Sequence, residues 1–164
     1  MRSRGFTLLE LIVALALVAL VAALAVPAYF ARGDVTLENA AQLLAEDLRL
    51  AQNHAAFHRA PTTFRFEGNG YAALGAEGEP LVHPRTELAF VRDYDRDAVF
   101  RGVRIVAVDL GGAPDLRFEP GGTAAGDLRV RLRFGDDERV VVLARGSGRI
   151  EIHGTTRGYA DDLR

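Results

Sequence analysis

After Glu10 the chain carries no charge until Arg32, an interval of 21 residues from Leu11 to Ala31. As a helix this interval spans roughly 31 Å, close to the hydrocarbon thickness of a bilayer. A carboxylate near the bilayer centre costs about 2.5–3.5 kcal/mol to insert. Glu10 sits nearer the end, where the cost is smaller, but it still calls for a charge partner. Arg2 and Arg4 precede the run, and Arg32, Asp34 and Glu38 follow it. The excess of positive charge on the leading side places the N-terminus in the cytoplasm and the bulk of the chain outside. A secretory signal peptide would instead carry a small-residue cleavage site after the apolar run. Ala22-Ala23-Leu24-Ala25 has that look, but the run is long for such a segment and the acid lies on its leading side.

The order Arg2, Arg4, Gly5, Phe6, Glu10, with Pro27 late in the run, resembles the N-terminal signal of type IV prepilins and type II secretion pseudopilins. The resemblance implies cleavage between Gly5 and Phe6 by a prepilin peptidase, N-methylation of the new Phe6 terminus, and insertion in membrane lipid. It also implies that Glu10 pairs with the amino terminus of a neighbouring subunit during assembly on an inner-membrane platform. The domain plan is then a leader at 1–5, a transmembrane and assembly helix at 6–31, and a periplasmic domain at 32–164.

Some 130 residues beyond Arg32 suffice for one domain with a core of its own. The chain has no Cys, so that domain holds without disulfides in a compartment that permits them. It has no Lys either, all 20 basic residues being Arg, and its formal charge is −2. Losing the leader removes two arginines and makes the balance more negative, which gives no general attraction to nucleic acid.

Helical periodicity continues past the apolar run. Leu37, Ala40, Ala41, Leu44, Leu48, Ala51 and Ala55 step by three or four, while Asn39, Gln42, Glu46, Arg49 and Asn53 take the other face. The pattern is an amphipathic helix with one buried stripe. Pro27 and Gly33 are its weak points, and Pro61 ends it by about Ala60. Everything afterwards reads as short strands. These are Thr63–Phe66 turning at 67–70 into Tyr71–Leu74, then Thr86–Val91, Val103–Val108, Leu128–Phe134, Val140–Ala144 and Arg149–Ile152. In Leu128–Phe134 the apolar residues alternate with Arg129, Arg131 and Arg133. Residues 111–126, rich in Gly and Pro, read as loop. The expected class is α+β: a long N-terminal helix, membrane-spanning then amphipathic, packed against antiparallel sheets.

A second resemblance rests on Leu116-Arg117-Phe118-Glu119-Pro120-Gly121-Gly122, followed by the apolar run Val140–Leu143 and then Gly148-Arg149. Leu116, Phe118, Pro120, Gly121, Gly148 and Arg149 carry a pattern similar to the GspH/FimT family of pilin-like proteins. That implies a minor pseudopilin of the type II secretion system, partnered by other pseudopilins. The alternative within the family is a FimT-like minor pilin of type IV pili, serving pilus assembly or DNA uptake.

No catalytic set emerges. Thiol chemistry is excluded, and Gly146-Ser147-Gly148 lacks the full spacing of a nucleophile elbow. His54 and His58 share a helix face and have metal-ligand spacing, but no third ligand is near them in sequence, so no metal or other cofactor is expected. Asp93, Asp95 and Asp97 alternate as in calcium loops but lack the loop glycine and the terminal bidentate Glu. Arg129, Arg131 and Arg133, with Arg157 in the tail, are the residues that would contact DNA phosphates if DNA were a partner. A solvated strand face is the plainer reading.

Overall fold

The computed structural model describes residues 8–146 and 148–155, with residues 22–34 and Thr155 described by backbone alone. One helix, α1 (Leu8–His58), runs unbroken through Pro27 and Gly33. Its domain half follows the periodicity: Leu37, Ala40, Ala41, Leu44, Leu48, Ala51 and Ala55 are each fully buried. Burying each of the three leucines stabilises the fold by roughly 1.5–3 kcal/mol. The helix stops where Arg59 turns into the left-handed region at φ 49° and Pro61 follows.

Eight strands are described. The first sheet has the order β3-β2-β1-β5, built from β1 (Thr62–Glu67), β2 (Gly70–Leu74), β3 (Val91–Asp93) and β5 (Leu116–Phe118). The second has the order β4-β6-β7-β8, from β4 (Arg104–Asp109), β6 (Leu128–Phe134), β7 (Asp137–Leu143) and β8 (Ile150–Thr155). All pairings are antiparallel. The helix packs across β1 and β5 of one sheet and β6, β7 and β8 of the other. Leu128, Val130 and Leu132 of β6 and Val141 and Leu143 of β7 face it and are buried. The α+β architecture is the expected one.

Strand ends shift by up to three residues, as where β7 starts at Asp137 and β8 runs to Thr155, and two segments differ in kind from the sequence reading. Thr86–Val91 is not a strand: Thr86 N and Glu87 N both donate to His83 O, and Glu87 is left-handed at φ 56°. That turn breaks the extension, so the ladder with β2 starts at Val91, next to Phe90, whose carbonyl accepts from Ala73 N. Residues 111–126 are not all loop. Leu116–Phe118 pairs with Thr62–Phe64 as β5 and buries Leu116 and Phe118. A strand of three residues is too short for alternation to reveal.

Candidate assembly helix and polar clusters

The first part of α1 touches nothing of the domain. From Leu8 to Val21 every side chain is exposed, the large apolar ones by 50–77%. A helix apolar all round is at rest only in lipid or among other helices. Glu10 lies in the first described turn of this segment. Among the described residues no helix is long and apolar enough to cross a membrane. Side chains are described only as far as Val21, whereas the uncharged run continues in the sequence to Ala31. Gly5, Phe6 and Arg157 lie outside the described residues.

The main feature that periodicity does not announce is a buried acid. Asp47 stands on the apolar stripe, seven residues after Ala40, and is fully buried. Tyr71 of β2 donates its hydroxyl to Asp47 Oδ2 at 2.9 Å, and Arg92 of β3 donates Nε to the same oxygen at 3.1 Å. His83 Nε2 lies 3.5 Å from Oδ1. Arg85 N donates to His83 Nδ1, which leaves Nε2 to face Asp47. Tyr94 reaches past them to donate to the helix carbonyl of Ala40 at 3.2 Å. Burial, then the neighbouring Tyr94 and Asp47, pushes the Tyr71 hydroxyl well above its usual range. Burial also raises Tyr94. For Arg92 burial works against the charge, but Asp47, through charge and hydrogen bond, more than offsets it. The cluster ties α1 to the first sheet. A lone Asp in an apolar stripe was the available sequence signal.

Arg129, Arg131 and Arg133 all point to solvent, as alternation requires. They do not form an unbroken cationic track. Arg131 Nε lies 3.7 Å from Glu138 Oε2, Arg129 is registered opposite Asp109, and Arg133 opposite both Arg104 and Glu138. The acids of the 93–97 segment are also occupied. Asp95 accepts from Arg104 at 2.8 Å and Asn69 at 3.0 Å, Asp93 pairs with Arg96 at 3.2 Å, and Asp97 accepts from Val99 N. Asn69 moreover donates to Val103 O and accepts from Ile105 N, so this β1–β2 turn latches onto the start of β4.

Two glycines of the second resemblance's segments, Gly122 and Gly148, meet one stretch of helix. Leu116 and Phe118 enter the core. The turn after them brings Gly122, at φ 80°, against α1, where a Cβ would stand 3.0 Å from Ala56 Cβ and 3.2 Å from Gln52 O. Gly148, at φ 61°, abuts the same Gln52, and a Cβ there would collide with its side-chain amide. Gly121 faces open space, so the steric demand falls on the second glycine of the pair. Arg149 is exposed and pairs with Glu151 at 2.7 Å. The pattern thus reads physically as two close approaches of loop to helix.

A helix that projects bare from a domain and then becomes the spine of two antiparallel sheets defines a pilin-like subunit. Residues 1–26 match the prokaryotic N-terminal methylation motif, and residues 40–148 match the family of the type II transport protein GspH. The chain belongs to that GspH family. Similar solved structures are the type IV minor pilin FimU of Pseudomonas aeruginosa and the minor pseudopilin EpsH from the type 2 secretion system of Vibrio cholerae. FimU is 19% identical, with 71% of this chain and 87% of that chain covered at a TM-score of 0.49. EpsH is 15% identical, with 72% and 96% covered at a TM-score of 0.47. No curated protein matches the sequence.

Proposed function

We propose that this chain is a minor pseudopilin, a structural rather than catalytic subunit of a type II secretion pseudopilus. The observation that carries the reading is the bare apolar first part of α1, exposed from Leu8 to Val21 and continuous with a helix whose apolar stripe is buried from Leu37 to Ala55. In this reading residues 1–5 are a leader removed by prepilin peptidase between Gly5 and Phe6, and Phe6 is N-methylated. Residues 6–31 anchor the chain in the inner membrane with the N-terminus cytoplasmic, and residues 32–164 form the periplasmic domain. Glu10, in a low-dielectric helix bundle, then seeks the charged amino terminus of a neighbouring subunit on the assembly platform, because a buried carboxylate needs a partner. DNA uptake by Arg129, Arg131, Arg133 and Arg157 is not part of the reading, since Glu138 and Asp109 interrupt the cationic face.

Two measurements test it. Mass spectrometry of the protein from its native host is expected to show methylated Phe6 at the N-terminus; a terminus beyond Ala22 refutes the reading. Glu10→Ala is expected to leave membrane insertion intact, since removing an embedded charge lowers its cost. It should also abolish co-purification with other pseudopilins, and undiminished co-purification excludes the assembly role.

A further inference from the structure

Near the far end of α1, His54 and His58 bring their rings to a centroid separation of 4.3 Å, one helical turn apart. They border a largely apolar cavity of about 610 Å³ with Leu50, Phe57, Leu81 and Phe90. His54 Nδ1 lies 3.2 Å from Oγ1 of Thr62, a residue buried at the start of β1. In the tautomer that carries its proton on Nδ1, His54 donates to Thr62 and leaves the Nε2 lone pair free. This is the arrangement by which outer-shell oxygens orient metal-binding imidazoles. Glu79 folds over Gly75, next to Leu74, which pairs with Thr63 beside Thr62. From there its negative charge reaches His54.

We infer that His54 and His58 form a two-imidazole site for a first-row divalent transition ion. Imidazole suits copper, nickel and zinc, and nitrogens one turn apart can meet one ion through bonds of about 2.0–2.1 Å. Among the described residues no group of three or more His, Cys, Asp or Glu converges on such an ion. The protein therefore supplies two ligands and water completes the shell. Burial, then the neighbouring His58, lowers the proton affinity of His54, against the opposing pull of Glu79. The ion would staple the final turns of α1, beside the start of β1. The inference stands independently of the pseudopilin reading.

The test is titration of the full chain in detergent micelles with Cu²⁺, Ni²⁺ or Zn²⁺ alone, and with Ca²⁺ and Mg²⁺, which prefer oxygen ligands, as contrast. One transition ion per chain is expected, with a rise in the melting temperature and no response to Ca²⁺ or Mg²⁺. His54→Gln and His58→Gln should each abolish the rise, whereas His153→Gln on β8 should leave it unchanged. Thr62→Val should weaken affinity roughly tenfold or more at unchanged stoichiometry. Absence of binding, binding that survives loss of either histidine, or binding lost with His153 overturns the inference. Should a histidine variant fail to fold, the electron paramagnetic resonance of Cu²⁺ on the native chain decides: coupling to two nitrogens supports the site, and one or none refutes it.

Discussion

Replacing Asp47 by Ala removes the acceptor of two hydrogen bonds from a site with no solvent. Tyr71, 2% exposed, would be left with its hydroxyl buried and unpaired, at a cost of about 1–3 kcal/mol. Arg92 would lose its carboxylate, but its side chain is 26% exposed and can partly rehydrate. Breaking a buried charge pair generally costs about 3–5 kcal/mol. The partial exposure of Arg92 sets the expectation at the lower end, about 3 kcal/mol. For a domain of this size that corresponds to a fall in melting temperature of about 10 °C. Asp47→Asn keeps the shape and an acceptor for Tyr71 while losing the charge, so it should cost about half as much. The assay is thermal unfolding followed by circular dichroism, with both variants beside the native chain in the same micelles. Arg92→Ala completes a double-mutant cycle, in which the coupling isolates the pair. If Asp47→Ala lowers stability by less than about 1 kcal/mol, within reach of an ordinary surface substitution, the cluster does not hold helix to sheet. If the two variants cost the same, the charge is not what matters.

Two further predictions concern the same domain. Gly122→Ala and Gly148→Ala should each destabilise by about 1–3 kcal/mol, from a left-handed backbone and a clash near Gln52, whereas Gly121→Ala should be silent. Equal melting temperatures for all three variants would remove the steric account of the family pattern. Tyr71 and Tyr94 both hold their protons above the ordinary tyrosine range in the fold. The unfolded chain releases them near pH 10 and so binds fewer protons than the native one, and stability must fall as pH rises above about 10. Tyr71→Phe should flatten that alkaline limb, and a limb of unchanged slope contradicts the burial argument.

Much of this was legible before the structure. The apolar stripe of α1 and the alternation of β6 are periodic over many residues, and period is what burial on one face imposes. The ends of β3 and β5 were not legible, because strands of three residues are defined by what they pair with. Asp47 was visible as a letter, but its partners come from residues 24, 36 and 45 positions away, on β2, β3 and the intervening loop. Only the topology brings Tyr71, His83 and Arg92 to one point. The role of Gly122 rather than Gly121 likewise depends on which of two adjacent glycines touches the helix, a matter of contact that the sequence does not carry. His54 and His58 were recognisable as a pair from their spacing, whereas the orienting hydroxyl of Thr62 was not.

The unbroken course of α1 has a mechanical consequence. Its 51 residues form a strut about 77 Å long at the ordinary helical rise. Root and spine are one rod, so an axial pull at Leu8 displaces the far end at His58 by the same distance, and a twist at one end is delivered at the other. The number of residues between Val21 and Leu37 therefore acts as a phase setting. One inserted residue there would lift the sheets by about 1.5 Å and swing them by about 100° around the rod. Every surface loop could keep its chemistry and still present it to the wrong neighbour.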